Sequence, residues 1–166
     1  MQKQKHLIGG LLVFTALFLY PSRAAAQADT FMYIAGIPGE STDDAHKDWI
    51  NVTSLTQEFD AASKSASACG AAVAKAFDKA GPLLWLAAVT GQRLGEIRIE
   101  VISNGGDERQ KLYELKISNA RISTISSSPS ELSESLQLVG DSATLTYFVQ
   151  NANAPSTGIS APLTCK

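Results

Sequence analysis

The chain has 166 residues with 14 Lys and Arg against 16 Asp and Glu, a formal net charge of -2. Residues 1–26 hold three of the basic residues and none of the acidic ones, so the remainder carries 11 against 16, or -5. So acidic a domain is a poor match to nucleic acid, and its length makes one ordinary domain with a real core rather than two.

Lys3 and Lys5 precede an apolar run from Leu7 to Tyr20, followed by Pro21 and small residues ending in Ala24, Ala25 and Ala26. This is the three-part layout of a secretory signal peptide. The apolar run of 14 residues falls short of the roughly 18 that a membrane span needs. Cleavage after Ala26 or Ala28 is therefore expected, leaving a secreted or periplasmic product with no membrane attachment, and the alternative is an uncleaved anchor. The folded domain is expected over residues 27–150, with a C-terminal tail over 151–166.

Residues 31–37 and 49–59 are rich in β-branched and aromatic side chains and read as strands, with "GIPGE" punctuating the space between them. That space is crowded with Pro38, Gly39, Glu40, Ser41, Asp43, Asp44, His46, Asp48 and Trp49. His46 is the only histidine after residue 26, the acids lack the alternating spacing and distal glutamate of a calcium loop, and two distant cysteines do not make a zinc site. No metal or cofactor is expected. A solvated charged loop that can touch another protein is the better reading.

Residues 60–77 mix helix-favouring alanines with serines and Gly70, and local propensity leaves them undecided. Pro82 suits a first turn and Gly91 a left-handed cap, which predicts a helix over 82–90. It is apolar on most sides and is expected to pack against a sheet, with Trp85, like Trp49, in the core. From residue 97 the period becomes two, with Ile97, Ile99 and Val101 on one face and Arg98 and Glu100 on the other. The turn "SNGGDE" returns the chain through Tyr113, Leu115 and Ile117 as a hairpin. "NARISTIS", "ESLQLVG" and "ATLTYFV" add short strands, and the tail lacks periodicity. Regular strands with one helix predict a mainly β fold, a small barrel or two-sheet sandwich.

Cys69 and Cys165 are predicted to form a disulfide, because an exported protein folds where such bonds persist. No G-x-S-x-G elbow, P-loop or dinucleotide fingerprint is present. No catalytic residue is assigned, although a carboxylate pair suited to glycoside hydrolysis is a matter of structure rather than sequence.

Several segments, in order, resemble the Hcp family, the haemolysin-coregulated tube protein of bacterial type VI secretion. They are "YIAGIPGESTDDAHKDWINV", "DKAGPLLWLAAVTGQ", "IRIEVISNGGDERQKLYELKISNARISTISS" and "ESLQLVGDSATLTY". The resemblance implies a small β-barrel of two antiparallel sheets with one short α-helix on its side. It also implies a non-enzymatic subunit that closes into homo-hexameric rings, stacks them into a tube, and meets other secretion-machine components or small effector proteins carried in the lumen. The charged stretch over 38–49 then becomes a subunit-contact loop.

The chain departs from the family pattern in three places. It has a signal-like leader, an alanine-rich "AAVAKAF" where a more β-like strand is usual, and Gly140 within a strand, where it would weaken pairing or mark a bulge. Two further classes of function stay open beside the tube protein: an exported monomeric binding module that has lost assembly, and a secreted hydrolase using surface carboxylates.

Overall fold

The computed structural model describes residues 28–58, 69–104, 109–150 and 156–165. The proposed leader, the first half of the undecided segment and the glycines of the predicted turn lie outside the described residues. Among the described residues ten strands and one helix follow in order: β1 (Ala28–Ile34), β2 (Ile50–Val52), β3 (Ser54–Glu58), β4 (Gly70–Ala76), α1 (Gly81–Thr90), β5 (Ile97–Ser103), β6 (Gln110–Ser118), β7 (Arg121–Ser128), β8 (Ser133–Val139), β9 (Ser142–Val149) and β10 (Thr157–Thr164). They form a six-stranded sheet in the order β10-β9-β6-β5-β1-β2 and a four-stranded sheet in the order β3-β4-β8-β7. The predicted mainly β, two-sheet fold with one short helix is what is seen. Among the described residues the hydrogen-bonded ladders form two separate sheets and do not close into one barrel.

Alternation builds the core. Met32 and Ile34 from β1, Ile97 and Ile99 from β5, and Leu115 and Ile117 from β6 face Val73 from β4 and Leu136 and Leu138 from β8 across the interior. Each such side chain, fully buried, contributes about 1.5–3 kcal/mol. The predicted strand over 49–59 is in fact two, broken at Thr53, whose N–H donates to the Ala74 carbonyl at 2.8 Å. β2 thus belongs to one sheet and β3 to the other, and a single residue turns the corner.

The undecided segment resolves at residues 70–76 into β4, with Ala71, Val73 and Lys75 on its buried face. Register made the difference: β4 is central in its sheet, paired with β3 and β8, and tertiary pairing overrides the weak helix preference of its alanines. Gly140 is not in a strand. It carries the chain from β8 in one sheet to β9 in the other, and a Cβ there would overlap Ile117 and lie 2.7 Å from the Ser118 carbonyl oxygen. The expectation of a bulge is corrected to a tight crossing.

α1 begins one residue before the predicted start and ends where Gly91 adopts φ 65°. Its burial differs from expectation. Gly81, Leu84 and Ala87, on one stripe, are buried, whereas Leu83, Trp85, Leu86 and Val89 are exposed, Val89 by 81%. A helix apolar all round has no pattern to say which residues turn outward. Trp85 is likewise not a core residue: its Nε1 donates to Glu134 at 2.9 Å.

Beneath it lies a fully buried charge. Lys75 places Nζ 2.7 Å from Glu134, its register partner on β8, and 2.7 Å from Asp78 just before the helix, and donates to the Ala76 carbonyl at 2.8 Å. The tail, expected to be aperiodic, carries β10, which pairs with β9 from Thr157↔Val149 to Thr164↔Ser142. Cys69 and Cys165 are disulfide-bonded, their Cα atoms 5.6 Å apart.

Candidate contact loop and its buried anchor

Residues 38–49 connect β1 to β2 and fold back on themselves. Gly39 N–H donates to the Asp48 carbonyl at 2.8 Å, Ser41 N–H to the Trp49 carbonyl at 2.9 Å, and Asp48 N–H to the Ser41 carbonyl at 2.9 Å. Gly39 is required by close approach, since a Cβ would overlap the Trp49 carbonyl and the Ile50 backbone. Asp48 takes φ 61°, a conformation that aspartate tolerates better than most residues. At the tip, the Asp43 carboxylate accepts the His46 backbone N–H at 3.1 Å and closes a local turn.

The loop is only partly the solvated one expected. Pro38, Glu40, Asp44 and Asp48 are exposed, whereas Gly39, Ser41 and His46 are buried and Asp43 and Trp49 half-buried. The imidazole of His46 stacks on Phe31 of β1, centroids 4.4 Å apart and planes 5° from parallel, and meets Trp49 edge-on at 4.8 Å. Its Nδ1 lies 2.5 Å from Asp43 Oδ1 and its Nε2 3.1 Å from Glu100 Oε2 on β5. An imidazolium donates from both nitrogens, while a neutral ring could donate to only one of these carboxylates.

From Glu100 the charges continue outward. Lys111 on β6 lies 2.8 Å from Glu100 and 3.4 Å from Glu114, and Lys116 lies 3.1 Å from Glu114. Arg109 pairs with Asp43 and, at 3.0 Å, with Asp29. Burial pushes the Asp43 carboxyl up, but the hydrogen bonds and positive charges of His46 and Arg109 outweigh it and hold the group below its ordinary value. Glu114 is likewise pushed up by burial and held low overall by Lys116 and Lys111. On the exposed side, Glu40 accepts the Lys79 backbone N–H at 3.1 Å and Asp48 meets Lys79 Nζ at 3.0 Å, tying the loop to the turn before α1.

A groove of about 610 Å³ borders this cluster, lined by Asp43, His46, Trp49, Glu100, Arg109 and Lys111 among others. Asp43, His46, Glu100, Arg109 and Lys111 are engaged with one another, which suits holding a shape. Among the described residues no group of three or more His, Cys, Asp or Glu is arranged to hold a metal. The structure brings Asp43, His46 and Trp49 together and leaves Glu40 and Asp44 facing outward. Sequence reasoning missed Glu100, Arg109 and Lys111. Glu100 sits at an outward position of an alternating strand, and nothing local says that the 38–49 loop covers it.

Residues 31–147 match the model of the family described as type VI secretion system effector, Hcp. No curated protein matches the chain. The fold is similar to the crystal structure of Hcp1 from Salmonella typhimurium, with TM-score 0.71 and 23% identity over 84% of this chain and 95% of that one. It is also similar to a type VI secretion system effector from Yersinia pestis, with TM-score 0.66 and 24% identity over 82% of this chain and 99% of that one. The secreted protein Hcp3 from Pseudomonas aeruginosa aligns at TM-score 0.62 and 19% identity, over 84% of this chain and 99% of that one. At these identities the solved structures speak for a shared fold, and the family model, which spans most of the sequence, speaks for descent: the chain belongs to the Hcp family of type VI secretion system effectors.

Proposed function

We propose that the protein is a structural subunit of type VI secretion, one that closes into hexameric rings, stacks them into a tube and leaves the cell with it, carrying small effector proteins in the lumen. It works by shape and contact and uses no catalytic residue. The observation that carries this reading, beside the family, is the run of exposed apolar side chains on and beside α1: Phe77, Leu83, Trp85, Leu86, Val89 and Leu132. Soluble monomers seldom leave large apolar patches uncovered, and such surfaces mark contacts with other proteins. Head-to-tail contacts between identical subunits close into rings or propagate as filaments. The charged outer side of the 38–49 loop, with Glu40, Asp44 and Asp48, then sets partner choice and encounter rate at the rim.

A second reading, an exported monomeric module, is favoured by the disulfide, since the leader and the Cys69–Cys165 bond suit an oxidising compartment. Light scattering and negative-stain microscopy separate the two. Annular particles with a hexamer's mass, whose stacking weakens as salt rises, are expected. A monomer at every concentration and salt tested refutes the tube reading and leaves the fold standing.

A further inference from the structure

Cys69 stands at the start of β4 in the four-stranded sheet, and Cys165 follows β10, the outer strand of the six-stranded sheet. Their bond therefore ties an edge strand to the opposite sheet. Little else does. Seven of the eight residues of β10 are exposed. The strand pairs on one side only, with β9. Leu163 and Cys165 are the side chains at this end that pack against the core. Beyond the ladder, the Cys165 N–H donates to the Asp141 carbonyl at 3.0 Å, and Thr146 and Ser160 share a hydroxyl contact at 2.9 Å. An edge strand that buries so little apolar surface has little to set against the entropy of being ordered.

We propose that the Cys69–Cys165 pair is a redox latch on β10. With the bond formed, the strand is held on β9. With both thiols reduced, β10 detaches while the two sheets persist, and the outer edge of β9 is uncovered. Closing the latch joins the two sulfurs, releases two protons and passes two electrons to an oxidant of the disulfide class, which leaves as two thiols; opening runs the exchange in reverse. The state of the strand then follows the compartment, open where the chain is made under reducing conditions and closed where disulfides persist. An uncovered β9 edge presents a row of unpaired backbone donors and acceptors. The latch does not rest on the ring reading, because both ends of it lie within one subunit.

Hydrogen exchange read by mass spectrometry tests it, on the oxidised protein, on the protein reduced with dithiothreitol, and on Cys165→Ser. The half-buried cysteine is chosen because Cys69 is fully buried. Amides over 157–165 are expected to exchange at least about tenfold faster in the reduced protein and in the variant, with β5 and β6 amides unchanged. Equal protection of β10 in all three forms overturns the proposal. So does an acceleration shared by β5 and β6, including outright unfolding, since the bond would then stabilise the whole domain rather than latch one strand. Light scattering on the same samples reports assembly separately, so a monomeric result does not bear on the latch.

Discussion

Replacing Lys75 with Met leaves the shape of β4 nearly intact and removes one charge from an almost wholly buried site. The ammonium is fully buried and compensates Glu134 and Asp78, each at 2.7 Å, whose side chains are only 5% and 10% exposed. Without it, two carboxylates face each other across the base of α1 with only Trp85 Nε1, the Ala80 N–H and local backbone to answer them. Breaking one side of a buried ion pair costs about 3–5 kcal/mol. For a domain of this size each kcal/mol moves the melting temperature by roughly 2–4 °C, so a drop of roughly 6 °C or more is expected. The combined variant Lys75→Met, Asp78→Asn, Glu134→Gln removes the charges together and is expected to recover most of the loss, because isosteric replacement of a whole buried ionic set is often near neutral. Urea denaturation of the wild type, the single variant and the combined variant gives the comparison. A single variant within about 0.5 kcal/mol of wild type, or a combined variant worse than the single one, would refute the view that Lys75 is there to neutralise its neighbours.

Asp43 has a folded pKa below its ordinary value, so the unfolded chain binds its proton more readily. The stability it supplies is complete above about pH 4 and is lost as pH falls through the folded pKa. Asp43→Asn should therefore flatten the acid limb of a stability-against-pH curve measured from denaturant midpoints, and parallel limbs would count against it; Glu114, held low by its lysines, leaves a residual slope in both. Gly39→Ala forces a Cβ into the Trp49 carbonyl, and overpacking of this kind costs about 1–3 kcal/mol. A shifted tryptophan emission should report the displaced loop, and unchanged emission and stability would show that the backbone yields freely. Val89→Asp places a charge on a side chain that is 81% exposed, so the subunit should keep its stability within about 0.5 kcal/mol. If α1 is a contact face, ring mass by light scattering should fall; intact rings would move the contact elsewhere.

The sequence made the strands legible wherever one face was wet. Ile97, Ile99, Leu115 and Ile117 alternate with polar residues and are buried as expected. The cap at Gly91 placed the end of α1, because only its left-handed backbone is demanded there. What failed did so for tertiary reasons. Glu100 is at a polar position of its strand yet only 6% exposed, because residues distant in sequence roof that face. Lys75, amid alanines, carries no local sign that Glu134 will stand beside it. β10 has no period because neither of its faces is buried, so a strand held by backbone pairing leaves almost no trace in hydropathy. His46 was singled out for its chemistry, and its neighbours Asp43 and Trp49 were in view. Its partners Phe31 and Glu100 come from strands that the loop has to fold against before the grouping exists.

That folded loop has a kinetic consequence. With His46 clamped by Phe31, Trp49, Asp43 and Glu100, and with backbone bonds crossing from Gly39 and Ser41 to Asp48 and Trp49, residues 38–49 are shaped within the lone subunit. A rigid surface gives up little conformational freedom when it docks, and it has no second shape to offer to a mismatched partner. If the proposed contact through this loop holds, association should proceed as a single bimolecular step, without a slow rearrangement after encounter. Selectivity among neighbours would then rest on Glu40 and Asp48, both held against Lys79, rather than on adaptation.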